Sequence, residues 1–281
     1  MGVYRKRGLL TRLLYLGLAI CCWAITCSGR FGRGRVVVLC YHGITAKQKP
    51  AFEWQMSKIA TRATPVAAFS KALPSRRANL PNVCITFDDA FANLLNNALP
   101  ALEHYQVPAA IFPVADNFGL LPRWEMPAGH PASTEMIMTT EQLVAVSKNP
   151  LIRIGSHTLT HPDLAKLQPD QLKVELIDSK RQLEQLLSGT VEGLALPFSS
   201  YNQEVVCMAQ EAGYKRIYTL DPTLANPMSE DPVVGRFSMS PDTWKIEFVL
   251  TCAGAYSWFH YVRGLRHWIR KLPEDQATVL W

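Results

Sequence analysis

The chain has 281 residues, 48% of them hydrophobic, and a formal charge of +6. Arg5, Lys6, Arg7, Arg12, Arg30, Arg33 and Arg35 carry the excess; without these seven, 22 basic residues face 23 acidic ones. So nearly neutral a body excludes a nucleic-acid-binding domain, and seven cysteines without framework spacing exclude a disulfide scaffold.

Residues 1–35 are read as a signal or membrane anchor with basic flanks. The apolar stretch from Leu13 to Cys27 has a charged front and no polar face, which argues against a buried helix. It is somewhat short of the ~20 residues that span a bilayer comfortably. Cys27-Ser28-Gly29 is a weak cleavage site, so a cleaved signal and an uncleaved anchor stand level, and arginines on both sides blunt the orientation rule. Either reading places the rest of the chain in the cell envelope or outside the cell, with the domain outside the cytoplasm.

From residue 36 the pattern changes. Strand-like runs are Val36–Cys40, Val83–Phe87, Ala109–Val114, Ile152–Gly155, Leu194–Leu196, Arg216–Tyr218 and Val233–Phe237. Helical patterns fill 91–105, 140–148, 169–188 and 202–213. In the third of these Leu172, Leu176, Leu183, Leu186 and Leu187 form the apolar side, with Lys173, Glu175, Lys180, Arg181 and Glu184 elsewhere. Near-continuous apolar strands alternating with helices predict an α/β fold, a distorted and incomplete (β/α) barrel with parallel strands, over residues 36–250. The Gly- and Pro-rich stretch from Gly119 to Pro131 reads as a loop over one end. Residues 251–281 read as a C-terminal amphipathic helix, centred on Tyr256 to Leu272. A helix covering the barrel is favoured over one lying on anionic lipid.

Two stretches carry the chemistry. Thr86-Phe87-Asp88-Asp89 ends one apolar run, and His157-Thr158-Leu159-Thr160-His161 ends another. Pro162 and the strand before His157 keep the two histidines off a helix, so the pair lies on a strand-to-loop turn. In a parallel barrel such positions open on the active-site face. An N-cap accounts for one aspartate, not two, and adjacent carboxylates repel unless a cation binds one of them. Two carboxylates and two imidazoles can hold a divalent metal and leave one carboxylate as a base. The competing readings are loop histidines bonded to backbone and a plain helix cap.

These motifs, in this order and each after a strand, resemble the polysaccharide deacetylase family, carbohydrate esterase family four. Its hallmarks are Thr-Phe-Asp-Asp-Gly and His-Ser/Thr-x-x-His, and the resemblance runs from about Val36 to Ser240. It implies one divalent metal ion, most plausibly zinc, on Asp89, His157 and His161, with Asp88 as general base. Leu196-Pro197-Phe198 resembles the groove motif whose backbone amide helps bind the oxyanion, which gives that role to Phe198 beside Pro197. Three features depart from the pattern. Ala90 stands where the family has Gly; Gly193, Leu194 and Ala195 stand where an Arg orients the base; and no late Leu-x-His supplies an acid. His260 and His267, on the C-terminal helix, are poor substitutes.

The branch resembling biofilm poly-N-acetylglucosamine deacetylases permutes its motifs and takes its acid from an early Tyr-His. Tyr41-His42 fits that placement, against the plain reading of a turn histidine. Arg236, in Val234-Gly235-Arg236-Phe237, is the candidate for the missing Arg, equally readable as an ordinary ion pair. Trp124 and Tyr201 are candidates to stack on sugar rings, or simply to pack.

The implied activity is metal-dependent removal of N-acetyl groups from an amino-sugar polysaccharide. Implied partners are an N-acetylated polysaccharide, a membrane through the N-terminal segment, exopolysaccharide synthesis or export machinery, and no nucleic acid. An O-acetyl esterase or lipid-linked-sugar deacylase would use the same residues. A membrane-held glycan-binding pseudoenzyme is the non-catalytic alternative.

Overall fold

Three valines open the first strand, β1 (Val36–Tyr41), and all six of its residues are buried. A strand covered on both faces needs apolar side chains at every position, not at alternate ones. Seven strands follow: β2 (Asn82–Asp88), β3 (Ala109–Phe112), β4 (Ile152–Ile154), β5 (Gly193–Ala195), β6 (Arg216–Tyr218), β7 (Val233–Val234) and β8 (Phe237–Ser238). The computed structural model describes residues 9–25, 34–65, 80–126 and 131–260. Within them the strands form a five-stranded sheet, β4-β3-β2-β1-β8, and a three-stranded sheet, β5-β6-β7, parallel throughout.

The two sheets meet at both ends. Ser156, just past β4, donates its N–H to Gly193 O (2.9 Å) and accepts from Ala195 N–H (2.8 Å), which joins β4 to β5. At the other end only Gly235 and Arg236 separate β7 from β8, so one run of chain leaves the second sheet and enters the first. This corrects the expected strand Val233–Phe237, which is two strands in two sheets. A Cβ on Gly235 would collide with the Thr223 hydroxyl and the Asp221 carbonyl, so glycine is required at the crossing. The expected fold class holds: an α/β fold of parallel strands in two sheets, consistent with a distorted, incomplete (β/α) barrel.

Strand alternation sorts the interior into layers. Val38, Cys84, Ala110, Phe112, Tyr218 and Val234 meet inside the barrel. Val37, Leu39 and Ile85 point outward, beneath the helices. Since Cys84 faces inward, Thr86 and Asp88 do too, and Asp88 arrives at the C-terminal mouth.

The helices are α1 (Leu9–Ile25), α2 (Lys49–Ile59), α3 (Leu94–Asn97), α4 (Leu99–Tyr105), α5 (Thr140–Ser147), α6 (Pro169–Leu187), α7 (Gln203–Glu211) and α8 (Lys245–Cys252). The single helix expected over 91–105 is instead α3 and α4, which meet at Ala98, with Pro100 in the first turn of α4. Proline suits a first turn because its missing N–H would have no partner there.

α1 lies against α8. Arg12 donates from Nε to Glu247 at 2.7 Å and sits 3.9 Å over the Trp244 ring, and Ala19 is buried with Leu250 and Ala255. Leu10 and Leu14 remain largely exposed. Among the described residues no helix is long and apolar enough to cross a membrane. The expected C-terminal helix is described only to His260; its remainder, with His267, lies outside the described residues.

Candidate active site

The site lies where β2 and β4 end. Beyond Asp88 the chain turns through Asp89 (φ 68°) and Ala90 (φ 56°). The turn brings Asp89 Oδ1 to 3.6 Å from His157 Nε2 and 3.8 Å from His161 Nε2. His157 Nδ1 lies 2.8 Å from the Ala195 carbonyl. A carbonyl only accepts, so Nδ1 carries the proton and the Nε2 lone pair faces Asp89. His161 is held by rings instead. Trp124 stacks on it at 4.5 Å and 25°, and Phe198 meets it edge-on at 4.8 Å and 79°.

Two buried atoms in this cluster, Asp89 Oδ1 and His161 Nδ1, have no hydrogen-bond partner among the described residues. Burial, and then the charge of Asp88, push the Asp89 carboxyl well above its usual range. Burial lowers His157, and burial with the neighbouring His157 lowers His161 further. Both imidazoles are therefore neutral and, with an uncompensated carboxyl group, make an arrangement that a cation would complete. Donors on a tetrahedral zinc at ~2.05 Å stand ~3.3 Å apart, so small side-chain shifts would bring these three onto one ion. The residues fit a divalent metal.

Asp88 is on the other side of the turn and differently held. Arg236 donates from NH1 to Oδ1 at 2.6 Å and from NH2 to Oδ2 at 2.8 Å. Arg236 is itself fully buried; its Nε donates to Thr219 O and its NH1 also reaches Thr86 Oγ1, both at 3.2 Å. Burial alone would raise the Asp88 carboxyl. The guanidinium overrides that and holds it well below the usual carboxylate range. The expected substitute for the missing Arg thus reaches the aspartate from the β7–β8 crossing. His42, exposed at the end of β1, has a ring nitrogen within 4.8 Å of the Asp88 carboxylate and of Cys40 Sγ.

Pro197 is buried, and Phe198 is 39% exposed with φ 55°. Tyr201 donates its hydroxyl to Asp221 at 3.3 Å, on the exposed side. Trp124, expected to face sugar or to pack, is half-buried with one face against His161. His260 follows the turn whose Trp258 and Phe259 rings lie 5.8 and 5.4 Å from Tyr15 of α1.

Two contacts were missed by the sequence reading. Cys40, read as core, is buried but donates its thiol to Asp88 Oδ2 at 3.3 Å. Glu175, read as lying off the apolar side of α6, is 7% exposed and bonds the loop between the histidines. Inward alternation along β1 was the available signal for Cys40; for Glu175 it was the spacing from Leu172, three residues back on the buried face of α6.

Backbone strain concentrates here. Asp89, Ala90, Thr158, His161, Phe198 and Ser199 all have φ between 54° and 68° without being glycine. Such residues cost on the order of 1–3 kcal/mol each, and surrounding contacts must hold them.

The family profile described as Polysaccharide deacetylase matches residues 76–217, just over half of the chain. The protein YxkH of Bacillus subtilis, named for the same family, is 26% identical over 216 residues, covering 74% of this chain and 72% of that protein. The poly-beta-1,6-N-acetyl-D-glucosamine N-deacetylase of Staphylococcus aureus is 23% identical over 172 residues, 58% of this chain. The match spans 56% of the staphylococcal enzyme's length. Among solved structures, IcaB from Ammonifex degensii superposes with a TM-score of 0.65 at 20% identity, covering 79% of this chain and 98% of that one. That likeness concerns the fold.

Proposed function

Because the chain belongs to the polysaccharide deacetylase family, we propose that it is a metal-dependent hydrolase that removes N-acetyl groups from an amino-sugar polysaccharide of the cell envelope or biofilm. One observation carries this reading. Asp89, His157 and His161 converge on an unpartnered carboxylate oxygen beside a second, ionised aspartate gripped by Arg236. The poly-N-acetylglucosamine deacetylase among the relatives supports an N-acetylated polymer as the substrate class.

A divalent ion on Asp89 Oδ1 and the two Nε2 atoms, zinc first among candidates, would supply Lewis acidity at the acetamide carbonyl and lower the pKa of a water there. Asp88 takes the proton of the attacking water. Arg236 keeps it in the accepting form and fixes both of its oxygens. The Phe198 N–H is the donor proposed for the oxyanion. His42 gives the departing nitrogen its proton, without which an amine leaves poorly. Trp124 locks the His161 ring, and Phe198 and Tyr201 border the exposed side where a sugar chain would lie. The N-terminal segment is proposed as the link to a membrane and to exopolysaccharide machinery.

The test is acetate release by the full chain from β-1,6-linked N-acetylglucosamine oligomers and from chito-oligosaccharides, alongside metal analysis. About one equivalent of metal is expected. Asp88→Asn should keep it and lose roughly a hundredfold or more in turnover. Tight oligomer binding without acetate release would sink the enzyme reading in favour of a glycan-binding protein. Release from O-acetylated sugars alone would favour the esterase.

A further inference from the structure

Glu175 has no part in the steps above, yet it is buried on α6 and gives every contact of its carboxylate to one short loop. Oε2 accepts from the backbone N–H groups of Leu159 and Thr160, both at 2.9 Å. Oε1 accepts from the Thr160 hydroxyl at 2.5 Å. Those residues lie between His157 and His161. The rest of the loop is tied to the same helix. Thr158 N–H donates to Ser156 Oγ (3.2 Å), Ser156 Oγ donates to Ser179 Oγ (3.2 Å), and Ser179 Oγ donates to the Glu175 carbonyl (2.6 Å). Thr158 and His161, at φ 68° and 66°, hold a conformation that neither adopts by preference.

We propose that Glu175 is a positioning residue that presets the spacing of the two imidazoles, so that α6 and not the ion fixes the geometry of the metal site. The inference rests on the reading of Asp89, His157 and His161 as metal ligands. A carboxylate taking two adjacent backbone N–H groups makes charge-assisted bonds, stronger than neutral ones and directional. They hold a strained loop that would otherwise have to be ordered when the ion binds. His161 gains most, because its own Nδ1 has no hydrogen-bond partner to orient it.

The experiment is zinc titration by calorimetry on the full chain after chelator treatment, well below its unfolding temperature. Glu175→Leu removes all three acceptor contacts at similar volume, and the dissociation constant should rise about 10–100-fold. Glu175→Gln should recover to within roughly fivefold of the parent. Its carboxamide oxygen can take both N–H groups while its NH2 donates to the Thr160 hydroxyl. Thr160→Val removes one bond and should weaken binding about fivefold; it decides the matter if Glu175→Leu does not fold by circular dichroism. A folded Glu175→Leu with lower thermal stability but unchanged zinc affinity overturns the proposal, leaving Glu175 a tie between helix and loop. A parent chain that takes up no zinc removes the metal-site reading itself, and the clamp with it.

Discussion

Replacing Arg236 by Met leaves Asp88 with only the weak thiol donor of Cys40 in the barrel. Both partners of the pair are buried, at 0% and 2% exposure, so water does not screen the loss. The carboxylate then has two options. It can stay ionised without a charged partner, which for a broken buried pair costs about 3–5 kcal/mol. Or it can take a proton. From an ordinary value of 3.8, neutralisation at pH 7 costs about 4.4 kcal/mol at 1.36 kcal/mol per unit. The second route caps the penalty, so Arg236→Met should lose about 4 kcal/mol at pH 7, much of a small domain's stability. The sign of its pH dependence follows. In the parent the Asp88 carboxyl is depressed, so its contribution is present above 3.8 and is lost only as pH falls. In the variant burial raises it, so the folded state holds a proton that the unfolded state does not. That contribution is greatest below 3.8 and is lost as pH rises. The gap between parent and variant should therefore narrow by about 1.4 kcal/mol per unit from pH 7 toward pH 4. The double variant Arg236→Met/Asp88→Asn carries no such charge; it should recover most of the loss and keep a constant gap. Urea unfolding of the metal-free chain, followed by circular dichroism at pH 5, 6 and 7, measures all of this. A loss below about 1 kcal/mol at pH 7, or additive single and double variants, would refute the reasoning.

His42→Ala should fold and keep its metal, because the residue is exposed. It should lose roughly a hundredfold on amides and far less on an ester with a good leaving group, and equal losses on both would remove His42 as the acid. Gly235→Ala should cost about 1–3 kcal/mol through overpacking against Thr223 and Asp221, and should also displace Arg236; an unchanged urea midpoint contradicts this. Tyr214 is 2% exposed, and burial pushes its phenol up to about 12 from 10. Its contribution is therefore full below pH 10 and lost as pH rises toward 12, about 2–3 kcal/mol in the parent. Tyr214→Phe begins about 1 kcal/mol less stable but should lack that part of the alkaline decline; parallel alkaline curves would show the phenol does not titrate there.

The sequence makes the strands legible because a doubly covered parallel strand is apolar at every position; Val36–Tyr41 admits hardly another reading. It also makes the Asp and His motifs legible, because their residue types are costly to bury without a purpose. Other features needed three dimensions. Val233–Phe237 looks continuous because a chain changing sheets keeps its apolar character; only Gly235 and a charged residue inside the run mark the crossing. Glu175 has the spacing of the buried face of α6, three residues after Leu172 and four before Ser179, but its charge argues for solvent; only the loop folded over it supplies the partners that let it be buried. The left-handed backbone at Asp89 and His161 carries no glycine to announce it. Trp124 meets His161 across a loop whose path no local pattern sets.

The ion pair joining Asp88 to Arg236 spans 148 residues of chain. At ~5–20 residues per second of synthesis, the aspartate emerges roughly 7–30 s before its arginine. For that interval shutting the inner layer of the barrel around it costs several kcal/mol, since an aspartate there lacks its charged partner. That cost favours keeping Asp88 in water until the β7–β8 segment arrives. That segment carries the guanidinium directly before β8, the edge strand of the five-stranded sheet, so the residue that neutralises Asp88 and the strand that completes the sheet arrive together.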